Sequence, residues 1–419
     1  MGTVRWGVSR DARLLIAGQG LRAAGYGFTA VVLGALLAAR GYSHLRAGIV
    51  LTALIGGTAL ASLAVGALAD RVGRRRCYAV FFLAVAVAGA VVAAGAPFWL
   101  LLVVAVTGTL STDVVDNGPA TTLEQVMLAV EDAGTASVYG RYNAVGAASG
   151  AVGALCATLP GLSGNSPRGW LFVVLVPVGL AGALLAWQLS PAVEATALPA
   201  SGGSSRARRV RLGPSRAVVR RLASLFAVDA AGGGLVTTGF LSYFFAERYG
   251  VSVVALGWLF FAVTLVQAVS VLLAPRLARR FGLVATMVGT HLPSNVLLAA
   301  VAFAPSFPAA ALLLLARTTL SQMDVPTRQA LVMTVVTPAE RTSAAAVTNA
   351  ARYTVRPAGP LIAAAVQQIA LGAPLLVAGV VKGGYDIALW RWARHLSLPD
   401  PGTDPDSPIA TSAPTSSAH

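Results

Sequence analysis

Twelve apolar stretches follow one another along this 419-residue chain, each of about 20 residues or more and so long enough to cross a lipid bilayer. They fall near 13–40, 45–69, 77–96, 98–128, 136–160 and 169–190, then near 220–247, 253–275, 283–304, 308–336, 342–370 and 373–394. With 56% hydrophobic and 11% charged residues, a water-soluble domain of this length could not hide its apolar surface, so lipid must cover it. The expected fold is an all-α polytopic membrane protein of twelve transmembrane helices.

The net charge of +15 has to be read in that light. In a soluble protein it would suggest nucleic acid. Here the basic residues, all arginine except Lys382, gather in the loops between apolar runs, and arginine-rich short loops are retained in the cytoplasm. Arg71–Arg76, the arginines of the central segment, Arg276–Arg280, and Arg391 with Arg394 all belong to one side, while the other side holds chiefly Arg40, Arg46, Arg168 and Arg248. The protein is therefore expected to be a multi-pass protein of the inner (cytoplasmic) membrane with both termini inside, binding no nucleic acid. The expected organisation is a cytoplasmic N-terminus (1–12), a six-helix bundle (13–190), a basic linker (191–219), a second six-helix bundle (220–396) and a tail (397–419) too polar to fold. Arg5, Arg10 and Arg13 precede a first apolar run too long for a signal-peptide core, which reads as a retained helix. Cys77 and Cys156 fall near opposite ends of their helices and are not expected to pair.

The two halves repeat at a constant offset of 209 positions: Gly25, Gly41, Ser43, Gly48, Arg71 and Gly73 fall on Gly234, Gly250, Ser252, Gly257, Arg280 and Gly282. Two parallel six-helix units joined by a linker form a plan in which a substrate sits between halves that rock against each other. The loop Gly66-Ala67-Leu68-Ala69-Asp70-Arg71-Val72-Gly73-Arg74-Arg75-Arg76 resembles the glycine-acid-arginine signature after the second helix of the major facilitator superfamily, and Ala278-Arg279-Arg280-Phe281-Gly282 resembles its degenerate second copy. This likeness, spanning residues 11–396, implies that superfamily's fold and alternating-access transport. It also implies a gating loop made of Gly66, Asp70, Arg71, Gly73, Arg74 and Arg75. In relatives the aspartate latches onto an arginine of the fourth helix and the start of the eleventh. The fourth helix here has no arginine, which leaves Asp70 the region of Thr342 and Ser343, Arg141, or its own loop.

Charges inside spanning helices are costly and mark functional candidates. The deepest are Arg22, Asp113, Asp116, Asp229, Arg317 and Arg352, with Asp324 in a polar run of the tenth helix; Gln19, Asn143, Gln267, His291 and Asn349 add polarity. The resemblance implies that the first, fourth, seventh and tenth helices line the cavity. Arg22 with Asp113 or Asp116 would make either a proton-switchable contact or a fixed structural pair. Asp229 has no basic residue on its own helix face and suits a coupling role. Pro119 and Pro326 interrupt equivalent helices, as at gates and binding sites. His291 is read as a packing residue of the ninth helix, and Lys382 and Asp386, four apart, as a structural pair. Gly140, Gly146, Gly150 and Gly153 suit close helix packing. No metal-ligand cluster, nucleotide loop or nucleophile elbow is visible, so an enzyme is not expected and no cofactor is implied beyond a proton gradient. The leading functional reading is a monomeric, proton-coupled exporter of a small organic molecule. Its alternatives are an uptake or facilitative carrier for an anionic metabolite and, from another class, a non-transporting membrane sensor or scaffold.

Overall fold

Several of the long helices start at a serine or a glycine. Ser9 accepts a hydrogen bond from the Ala12 amide at 3.0 Å and opens the first crossing, Arg10–Ala39. Ser43 and Ser252 cap the second (His44–Val72) and eighth (Val253–Phe281) crossings in the same way, as N-cap hydroxyls do. Those serines are 209 positions apart, and the correspondence continues in the backbone. Gly41 and Gly250 take φ of 62° and 60°, while Gly73 and Gly282 take 104° and 84°, conformations that residues with a Cβ rarely adopt.

The computed structural model describes residues 9–112, 118–131, 136–159, 169–194, 213–337 and 340–394. Within them the remaining crossings are the third, Arg74–Ala93; the fourth, in two pieces, Phe98–Val106 and Pro119–Glu131; the fifth, Ala136–Cys156; and the sixth, Gly169–Gln188, whose first turns are 3-10. The second half repeats the plan. The seventh is Arg216–Leu235 with Thr238–Tyr249, the ninth Leu283–Val301, the tenth Phe307–Ser321 with Asp324–Thr334, the eleventh Arg341–Val355 with Gly359–Val366, and the twelfth Ala373–Ala393. Seven of these are long and apolar enough to cross a membrane; the fourth, tenth and eleventh are each broken near the middle. Pro119 is the first residue of its helical piece and Pro326 the third of its own, positions where a missing amide hydrogen is tolerated. The twelve-helix reading therefore stands. The seventh helix begins at Arg216, inside the span expected to be linker, and 191–194 is a 3-10 turn.

Large apolar side chains remain bare: Trp187 is 74% exposed, Leu63 73% and Leu272 71%. Such a surface is stable only against lipid.

Small residues set how the helices meet. A Cβ on Gly153 would lie 1.9 Å from the Ala24 carbonyl oxygen, and one on Gly27 would lie 2.0 Å from that of Gly150, so the first and fifth crossings touch backbone to backbone. The two halves meet on the side away from the arginine loops. There a Cβ on Gly34 would lie 2.5 Å from the Gly239 oxygen, and one on Gly48 2.8 Å from the Pro360 oxygen. A Cβ on Gly257 would lie 2.8 Å from the Ala154 oxygen. Among the described residues, the hydrogen bonds that join the halves lie at this end too, from Ser242 Oγ to Val31 O at 2.7 Å and from Tyr243 Oη to Tyr42 O at 3.5 Å.

Candidate functional site

Among the described residues, Glu124 is the most deeply buried acid of the N-terminal half, at 0% exposure. One helical face of the fourth crossing carries it together with Thr121, three residues earlier. Arg22, 2% exposed near the middle of the first crossing, donates from Nη2 to Glu124 Oε2 at 3.0 Å and to Thr121 Oγ1 at 2.8 Å, and bonds the Gln19 side chain. Tyr78 of the third crossing donates to Glu124 Oε1 at 2.6 Å, and Tyr142 of the fifth donates to Oε2. Glycines make the space. A Cβ on Gly18 would lie 2.3 Å from Tyr78 Oη, and one on Gly146 2.4 Å from Gln19 Nε2. Among the described residues the acid that pairs with Arg22 is Glu124; Asp113 and Asp116 lie outside them. Glu124 belongs to a polar run of the fourth helix, Asp116–Gln125, and its three-residue spacing from Thr121 was the available signal.

The C-terminal half holds a larger array on the equivalent crossings. Asp229, 3% exposed on the seventh, receives a hydrogen bond from Lys382 of the twelfth and lies 3.5 Å from Arg328 of the tenth. Gly232 admits the lysine, since a Cβ there would be 2.7 Å from Lys382 Cγ. Arg328 also pairs with Asp324, one turn earlier on its own helix. His291 of the ninth crossing lies between two carboxylates, its Nδ1 2.8 Å from Asp386 Oδ1 and its Nε2 3.8 Å from Asp229 Oδ1. Asn295 donates to Asp386 Oδ2 at 2.8 Å. Two expectations change here. Lys382 and Asp386 share a helix face, yet each has its own partner on another helix. His291 faces this cluster rather than lipid, bonded to Asp386 and 3.8 Å from Asp229. Arg317 of the tenth crossing and Arg352 of the eleventh lie in the electrostatic field of Asp229, and neither makes an ion pair among the described residues.

The two clusters are related with their signs exchanged. In the N-terminal half the base is on the first crossing and the acid on the fourth; in the other half the acid is on the seventh and the base on the tenth.

The arginine loop is organised by an acid the sequence reading left out. Glu194, just after the sixth crossing, accepts from the amides of Arg74 at 2.7 Å and Arg75 at 3.0 Å, at the positive start of the third helix. Gly73 leaves room for it, since a Cβ there would lie 3.3 Å from Glu194 Oε1. Arg75 adds a bond to the Trp187 oxygen at 3.1 Å, and Arg71 is exposed. Gly66 and Asp70 are helical, and their surroundings lie outside the description, as do those of Thr342. Similar latches recur. Asp11 accepts from the Ser190 amide at 3.1 Å, and Glu340 accepts from the amides of Gly213 and Ser215. Hydrogen bonds from Ser215 and Gly213 hold the Glu340 carboxyl below the ordinary carboxylate range. Every one of these latches ties neighbours within one half. Glu194→Ala is expected to lower the apparent Tm in detergent by about 2–4 °C, the loss of about 1 kcal/mol of capping; a scan that matches the parent would show that the loop does not depend on it.

With this geometry in hand, comparison with known proteins settles the family. A sequence profile of the Major Facilitator Superfamily matches residues 15–360. The chain belongs to the Major Facilitator Superfamily. An uncharacterized membrane protein of Saccharomyces cerevisiae is 27% identical over 389 residues, 84% of this chain and 87% of its own. Among solved structures, the nucleoside transporter NupG matches with a TM-score of 0.70 at 14% identity, over 91% of this chain and 97% of that one. An auto-inhibited POT family peptide transporter matches at 0.71 and 12%, over 94% and 98%. A D-xylose-proton symporter matches at 0.64 and 15%, over 91% and 97%. Identities this low show a shared fold and nothing about cargo. The protein is a multi-pass membrane transporter of the superfamily rather than an enzyme.

Proposed function

We propose that this transporter couples the movement of a small organic molecule to protons and works as an exporter in the cytoplasmic membrane. The observation that carries the coupling is His291 held between Asp229 and Asp386, with Lys382 and Arg328 competing for the same Asp229 carboxylate. A proton arriving at Asp229 removes its attraction for both cations, and the His291 imidazole, bonded to Asp386 and 3.8 Å from Asp229, is a titratable group beside the freed carboxyl. The array reaches from the seventh and tenth crossings to the ninth and twelfth. Protonation therefore changes how four helices of one half are held together, which is what a rocking bundle needs in order to register a bound ion.

Orientation follows from the arginine loops. Their end belongs in the cytoplasm, with both termini inside, so the glycine seam between the halves closes the external side. On this reading the conformation described is the inward-facing one. Each chain carries both halves of a pathway, and a monomer suffices.

The test uses inside-out membrane vesicles in which respiration acidifies the lumen and acridine orange reports the gradient. An exporter that exchanges with protons releases luminal protons when a panel of amphipathic drugs and organic acids is added outside. Asp229→Asn should abolish that response at normal expression, and His291→Gln should shift its pH dependence. A full response in Asp229→Asn would remove Asp229 from the coupling. A flux indifferent to the gradient would overturn the proton-coupled reading altogether.

A further inference from the structure

We infer that Arg317 and Arg352 form an anion-binding site beside the Asp229 cluster, so that the cargo carries a carboxylate, sulfonate or phosphate group. This rests on the transporter reading and is independent of whether protons drive it.

The first argument is charge. Around Asp229 stand four permanent cations, Arg317, Arg328, Arg352 and Lys382, against three carboxylates, Asp229, Asp324 and Asp386. Each acid already has a cation or donor: Asp229 has Lys382 and Arg328, Asp324 has Arg328 through Oδ2 alone, and Asp386 has His291 and Asn295. Positive charge is left over, and it resides on Arg317 and Arg352. Uncompensated charge at membrane depth is expensive unless something meets it.

The second argument is unused donors. Arg317 Nε, Arg352 Nε and the Ser321 hydroxyl are buried atoms with no hydrogen-bond partner. Arg317 and Ser321 stand four apart on the last turn of Phe307–Ser321, and Asp324 and Arg328 stand four apart on the first turn of Asp324–Thr334, the next piece of the tenth crossing. Of the second pair, Arg328 binds Asp324 Oδ2, while Asp324 Oδ1 has no partner. The first pair presents a guanidinium and a hydroxyl that lack acceptors. Arg352 approaches the cluster from the eleventh crossing, a different helix, and both arginines are only partly buried. Guanidinium donors bind carboxylate and phosphate oxygens in pairs, and a neutral or cationic solute cannot supply that acceptor set.

The experiment measures binding with no gradient present. Purified protein is heated in detergent with benzoate, citrate or a hexose phosphate, with their neutral counterparts benzamide and hexose, and with tetraphenylphosphonium as a cation. At least one anion should raise Tm by about 3 °C at millimolar concentration, and its neutral counterpart should not. Arg317→Gln and Arg352→Gln should each weaken that anion at least about tenfold. Because either variant can also misfold, the parent is treated in parallel with phenylglyoxal, and the same anion should protect Arg317 and Arg352 from modification as read by peptide mass spectrometry. No stabilising anion, equal stabilisation by the amide or the cation, or modification of both arginines unaffected by the anion would each overturn the inference. An unmodified protein that shows proton coupling but no anion response counts against this site alone. Loss of coupling with anion binding intact counts against the proton-driven reading alone.

Discussion

Glu124→Ala is expected to lower stability by about 3–5 kcal/mol, more than any other single side-chain truncation in the N-terminal half. Glu124 is wholly buried and is the shared acceptor for Arg22, Tyr78 and Tyr142. Its removal leaves a guanidinium in the middle of the first crossing with Thr121 and Gln19 as neutral partners, and strands two phenol hydroxyls. Thermal unfolding in detergent and yield from membranes read the effect. The double change Arg22→Met with Glu124→Leu should recover much of the loss, because it removes both charges and keeps the volume. A Glu124→Ala protein as stable as the parent would mean that water reaches Arg22, and the cluster would then belong to the transport pathway rather than to the frame.

Gly34→Val should leave the protein folded and slow its cycle. Any Cβ at this position meets backbone, with Gly239 O at 2.5 Å and Tyr243 N at 2.7 Å, as well as Ser242 Cβ at 2.6 Å. Backbone cannot step aside as a flexible side chain can. Such overpacking typically costs about 1–3 kcal/mol, a shift of roughly 5-fold to 150-fold between conformations that do and do not close this seam. Spin labels at Leu45 and Glu247, exposed residues of opposite halves at the closed end, should move apart in the variant. Substrate turnover should fall by a similar factor. Unchanged label distances together with normal transport would show that the seam yields without consequence.

The architecture was legible in the sequence because its determinants are local or repetitive. Apolar length, arginine in short loops and the 209-residue offset each follow from a single stretch or a simple comparison, and Ser43 with Ser252 and Gly73 with Gly282 adopt matching geometry. The site was legible only residue by residue. Arg22, Asp229, Asp324, Arg317 and Arg352 stand out as charges in apolar surroundings, but their partners come from other helices, and sequence separation says nothing about which helix faces which. The pair Lys382 and Asp386 illustrates the difficulty. Their spacing places them on one face, and the packing of the seventh and ninth crossings against that face then draws Lys382 to Asp229 and Asp386 to His291. Glu124 and Glu194 escaped notice because each lies close to a helix end in the chain, where a carboxylate ordinarily meets water.

The carboxylate latches and the glycine seam divide the work of the molecule between two independent sets of residues. Asp11, Glu194 and Glu340 each join elements of a single half, so they are equally satisfied whichever way the halves tilt. Weakening them lowers both end states together and leaves their ratio alone. Gly34, Gly48 and Gly257 are in contact across the halves, and changing them alters the ratio while each half stays intact. Melting temperature and conformational bias should therefore vary along separate axes in a mutant collection. Durability and turnover would then be open to selection one at a time.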